Sequence, residues 1–126
     1  MTLIGIDYGR KRTGMAVYLS GIVLPLDPVL GSRELILKRL SELQERYEAI
    51  ELVLGLPLTA LGKHTELSRE VESFAAILDE NGYTVHFERE TGSSKEAARL
   101  VGRKDRKGRA DSVAACEILK RYLGIL

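Results

Sequence analysis

The chain predicts an α/β fold, a mixed five-stranded sheet of three antiparallel strands followed by βαβ crossovers and flanked by helices. Three observations carry that prediction. The first thirty residues are apolar runs parted by short breaks. The apolar period then changes to that of a helix. Beyond it, strand-like and helix-like segments alternate almost to the end of the sequence. With 126 residues, no repeat, no low-complexity tract and no dividing linker, one domain spanning 1–126 is expected, long enough to bury a core.

Taken in order, residues 2–8 and 13–19 read as strands joined by a Gly-bounded turn. Gly21 breaks the chain, and "IVLPLDPVL" supplies a third strand before Pro25 and Pro28. Ser32 is placed to N-cap a helix near 33–48, with Leu35, Ile36, Leu40, Leu43 and Tyr47 on one face. "IELVLGLPL" is a continuous apolar run, as a strand buried on both faces requires. A second helix over about 65–80 sets Leu67, Val71, Phe74, Ala75 and Leu78 at helical spacing and ends at Asn81-Gly82. "YTVHFE" is the last strand. A short helix near Ser93 or Ser94, a basic loop "GRKDRKGR" and a helix over about 110–123 complete the order β-β-β-α-β-α-β-α-α. That is the layout of ribonuclease H-like domains, and also of half of the actin and sugar-kinase architecture.

Composition excludes several classes. A formal net charge of +1 gives no whole-molecule field to hold nucleic acid, so the distribution of charge matters more. One cysteine, Cys116, rules out an intramolecular disulfide, and two histidines without a CxxC show no zinc pattern. Cys116 among Ala114, Ala115, Ile118 and Leu119 reads as a small buried apolar residue. No apolar run reaches membrane-spanning length and no signal segment is visible, so a cytoplasmic protein without a membrane partner is expected.

The chemistry is carried by acids set among apolar neighbours. In "IGIDYGRKRTG", Asp7 closes the first apolar run and is followed by Arg10, Lys11 and Arg12. An Asp that merely starts a turn explains neither the basic cluster nor the second glycine. Asp111 opens the apolar helix "RADSVAACEILKRYL", where it serves either as a first-turn acid on the helix dipole or as a group projecting into a cleft. Glu88 and Glu90 share a strand face, as solvated strand-end acids or as a third member of the set. Carboxylates converging from two strands and a helix suit divalent-metal cleavage of phosphodiesters, with Mg²⁺ or Mn²⁺ as the ion. The loop "GLPLTALG" follows the fourth strand where open α/β sheets bind ligands, with Gly55 and Gly62 permitting close approach and Thr59 able to donate a hydrogen bond. Arg103, Lys104, Arg106, Lys107 and Arg109 form a dense basic run beside Asp111, either plain solvated surface or a phosphate contact.

These motifs resemble the YqgF/RuvX family, which is related to the Holliday-junction resolvase RuvC, and the resemblance spans essentially the whole chain. "DYGRKRTGMAV" is similar to the family's Asp-x-Gly-x-Lys-Arg-x-Gly opening, "LVLGLPL" to its Gly-Leu-Pro motif, and "RADSVAACEILKRYL" to its closing segment. The resemblance implies a ribonuclease H-like nuclease of structured nucleic acid, pre-16S rRNA or branched DNA, with the ribosome as a further partner and a monomer or homodimer as the assembly. It implies Asp7 and Asp111 as two of three catalytic, metal-holding acids. For the third, a gapless alignment back from Ala97 puts the family's Glu on Glu90 and keeps Val85 and Phe87 on apolar positions. A two-residue shift would choose Glu88 instead. "LTALG" departs from the family's Leu-Asn-x-Asp-Gly. The basic residues from Arg10 to Arg12 and from Arg103 to Arg109 are expected to hold phosphates. Length argues against a nucleotide-enclosing kinase, which needs two such domains. A non-catalytic RNA- or ribosome-binding module on the same fold is the remaining alternative.

Overall fold

The first strand, β1 (Thr2–Asp7), is buried along its whole length because it lies in the middle of the sheet. Antiparallel β2 (Arg12–Leu19) and β3 (Ile22–Leu30) continue the sheet to one side, and parallel β4 (Ile50–Leu58) and β5 (Val85–Thr91) to the other. The order is β3-β2-β1-β4-β5. Helices α1 (Arg33–Tyr47) and α2 (Glu66–Glu80) make the crossovers, and α3 (Arg109–Tyr122) follows β5. This computed structural model describes residues 1–91 and 109–125, without the side chains of Thr91 and residues 109–111. The helix expected at Ser93 or Ser94 and the basic residues Arg103, Lys104, Arg106 and Lys107 lie outside the described residues.

The period-two alternation of β1 sorts the sheet into two cores. Ile4 and Ile6 face α1 and α2, with Met15, Val17, Leu52, Leu54, Ile36, Leu40, Val71, Phe74 and Leu78. Leu3 faces α3 with Ala16, Val53, Ala115, Ile118 and Leu119. Small residues on this second face let α3 sit close: a Cβ on Gly5 would lie 2.7 Å from the Ala115 carbonyl oxygen and from Leu119 Cγ. Among the described residues, no helix is long and apolar enough to cross a membrane.

Several expectations are corrected. The third strand runs through both prolines rather than stopping before them. It is an edge strand, where the absent N–H groups cost no ladder bond. Between Thr13↔Val29 and Met15↔Leu26, β3 spends one residue more than β2, so Pro28 falls in a bulge. Ser32 stands at the N-cap of α1 but makes no side-chain capping bond. Its hydroxyl instead engages Glu34, holding that carboxyl below its ordinary range. Leu35, expected on the inner face, is exposed and packs beside Gly31. Thr65 does cap α2, with Ser68 closing a reciprocal capping box. The last strand runs 85–91 instead of 83–88, because parallel pairing with β4 persists from Leu52↔Val85 to Leu58↔Thr91.

Candidate active site

Asp7 ends β1 on the α3 face, only 7 % exposed. It pairs with Gly14 of β2, and one step beyond the Ile6↔Leu54 pair puts it level with Gly55 of β4. On β5, His86, Glu88 and Glu90 alternate onto this same face, where the His86 ring lies 5.3 Å from that of Tyr122 in α3. Glu88 is half-buried, while Glu90 is 5 % exposed. The Glu90 carboxylate leans back along the sheet to cover Gly55. A Cβ at that position would meet Glu90 Oε2 at 2.9 Å and Ile118 Cδ1 at 2.5 Å. Neighbouring strands are spaced about 4.8 Å. Asp7 and Glu90 therefore flank the β4 backbone at Gly55, on one face and at the carboxyl ends of the parallel strands.

Asp111 falls in the first turn of α3, and its side chain lies outside the described residues. The helix start is held by the next residue. Ser112 is buried, and its hydroxyl donates to the Leu26 carbonyl of β3 at 2.6 Å. Residue 111 precedes Ala115 by one helical turn, and Ala115 packs on the sheet beside Gly5.

Among the described residues, no three His, Cys, Asp or Glu side chains form a metal-holding group. Asp7 and Glu90 nonetheless offer a hard oxygen donor set, which fits Mg²⁺ or Mn²⁺. The softer donors are engaged elsewhere. His86 Nε2 lies 2.7 Å from Glu51 Oε1. Cys116 is half-buried beside the α3 core, and burial pushes its thiol up from the ordinary range.

The basic cluster after Asp7 is exposed, but its members differ. Arg10 turns toward α2. Its Nε donates to both carboxylate oxygens of Glu70, at 2.9 and 3.2 Å, and Nη2 stands 3.9 Å from Glu66. The hydrogen bond and charge of Glu70 raise this guanidinium further above its ordinary value. The Lys11 carbonyl accepts from the Gly31 N–H, leaving its side chain at the surface. Arg12 opens β2. Arg109 opens α3, with its side chain outside the described residues.

The loop after β4 is closed on itself. The Thr59 and Lys63 main chains bond, Gly62 N–H donates to the Thr59 carbonyl, and Lys63 N–H donates to Thr59 Oγ1. Gly62 has a φ of +77°, so its freedom serves the turn.

Sequence reasoning missed a clamp beneath the Asp7 turn. The Tyr8 hydroxyl accepts from Arg33 Nε at 3.0 Å, and the Tyr8 ring packs 5.1 Å from that of Phe74. The Arg33 guanidinium lies 5.6 Å from both ring centroids and donates to the Glu70 carbonyl. On the other side of the turn, buried Thr13 bonds the Gly9 N–H and carbonyl. The one sequence signal was Tyr8 itself, a large ring between the acid and a glycine.

Comparison with known proteins gives a consistent picture. The RuvX family model, described as Holliday junction resolvase, matches residues 1–124. A Helicobacter pylori (strain P12) protein named "Putative pre-16S rRNA nuclease" is 35% identical over 129 residues, covering 95% of this chain and 93% of its own. A Rickettsia bellii protein of the same name is 34% identical over 130 residues, covering 96% and 84%. In fold, the chain resembles T. thermophilus RuvC in complex with Holliday junction substrate. The TM-score is 0.53 at 15% identity, with 99% of this chain and 97% of that one covered.

Proposed function

Because the chain belongs to the RuvX family, we propose that it is a metal-dependent endonuclease cleaving phosphodiester bonds in structured nucleic acid. Its substrate is pre-16S rRNA, processed at the 5′ end, or a Holliday junction, and its place is the cytoplasm. The observation that carries this reading is the placement of Asp7 and Glu90, two buried carboxylates on one sheet face at the carboxyl edge. Even where partners compensate it, a buried carboxylate is often no better for stability than an apolar residue of similar size, so two of them on one sheet face support a role beyond packing.

In this reading Asp7, Glu90 and Asp111 hold Mg²⁺ or Mn²⁺. When bound, the ion supplies charge neutralisation at the phosphate and a water of lowered pKa. Burial of Asp7 and Glu90 keeps bulk water from weakening their field. Arg10, Lys11 and Arg12 hold phosphates flanking the cleaved one, joined by Arg103, Lys104, Arg106, Lys107 and Arg109 from the segment before α3.

Asp7→Asn tests the reading. Asn keeps the shape and one carbonyl oxygen, so the fold and most of the nucleic-acid affinity are retained. The charge that holds the ion is lost, and cleavage should fall by several orders of magnitude. The assay pairs Mg²⁺- or Mn²⁺-dependent cutting of a 16S rRNA precursor and a four-way DNA junction with a thermal melt. A variant that melts and cuts like the parent removes Asp7 from the mechanism. Binding without cutting by the unaltered chain favours the non-catalytic RNA- or ribosome-binding module.

A further inference from the structure

Arg10 lies three residues beyond Asp7, in a turn whose other contacts are fixed. Tyr8 is held through Arg33, and Gly9 through Thr13. The Arg10 side chain reaches α2, with both Glu70 oxygens on its Nε and Glu66 behind. Glu70 shares the single Nε–H of Arg10 between its two oxygens, so it presents the guanidinium with the same kind of anionic oxygen acceptors that a phosphate would. The pair is also open to solvent, with Arg10 59% and Glu70 34% exposed, so it is weak enough to exchange.

We propose that Glu70 is a specificity-determining residue that occupies Arg10 in place of a phosphate, so that only a strand engaging several cations together displaces it. An isolated phosphate offers Arg10 little more than Glu70 already does. A nucleic-acid strand meets Lys11 and Arg12 beside it at the same time, and the summed contacts tip the exchange. Glu70 thus lowers affinity for single phosphates and short fragments more than for long strands. Arg33 is unaffected by the exchange, because it uses the Glu70 main-chain carbonyl. This inference rests on the nucleic-acid reading of the basic cluster.

The test measures binding of a labelled four-way DNA junction, with divalent ions withheld, over a range of salt. Glu70→Gln should bind about two- to fivefold more tightly at low salt, the factor that breaking an exposed ion pair releases. The gain should shrink as salt rises, because the pair it removes is itself screened. Glu70→Asp keeps the charge and shortens the reach, and should gain in the same direction. Glu80→Gln, an equal charge change at the far end of α2, should not. In an Arg10→Ala background, Glu70→Gln should add nothing. A gain matched by Glu80→Gln, or one that persists without Arg10, overturns the proposal, as does unchanged affinity in both Glu70 variants. If the unaltered chain binds neither the junction nor rRNA, the nucleic-acid reading itself falls. Thermal melts confirm that each variant is folded.

Discussion

A side chain at position 55 would compete for space with two groups already there, Glu90 and Ile118. Gly55→Ala must move either the carboxylate or α3, and overpacking of this kind costs about 1–3 kcal/mol. Activity should suffer out of proportion, because the cheaper movement is that of the Glu90 side chain. Denaturant unfolding set beside cleavage rates checks both halves, and an active Gly55→Ala enzyme would detach Glu90 from the site. The sequence marked Gly55 as a place of close approach, but the approaching group is the chain's own acid from the neighbouring strand. Tyr8 was not legible, since its partners Arg33 and Phe74 are brought to it by the crossovers and not by local spacing.

At the scale of elements, the strands and helices were readable because their apolar periods are clean, and the errors fall at their margins. β3 continues through Pro25 and Pro28 because an edge asks less of a strand than its middle does, and edge status is a property of the sheet. β5 starts two residues later and ends three residues later than expected because β4 sets its register. The docking of α3 gives the sharpest test here. Ser112→Ala removes the bond to the Leu26 carbonyl and should cost about 1 kcal/mol. It also loosens the helix turn that carries Asp111. Cleavage should then drop more than junction affinity, if the cluster from Arg10 to Arg12 supplies that affinity as proposed. Equal losses in both would make Ser112 a purely structural residue.

For the molecule as a whole, the near-zero net charge conceals local grouping, with buried Asp7 and Glu90 on one sheet face and exposed Arg10, Lys11 and Arg12 in the turn and strand start that follow Asp7. An ion that Asp7 and Glu90 hold only in the folded chain should stabilise the fold. At a hundred times its Kd, such an ion adds about 2.7 kcal/mol, several degrees of Tm for a chain of this length. Melting in Mn²⁺ against EDTA should show that rise in the unaltered protein and not in Asp7→Asn. A Tm indifferent to Mn²⁺ would remove the metal from the reading. The close seat of α3 on Gly5 and Gly55 has a further consequence, in the timing of biosynthesis. Every strand is translated before α3, and about 100 residues separate Asp7 from Asp111. At about 5–20 residues per second, Asp7 is made roughly 5–20 s before Asp111, and the sheet, complete only with β5, has that face bare for the last part of the interval. If Asp7, Glu90 and Asp111 act together as proposed, the acid set is incomplete through that interval, and a growing chain should not cut the RNA around it.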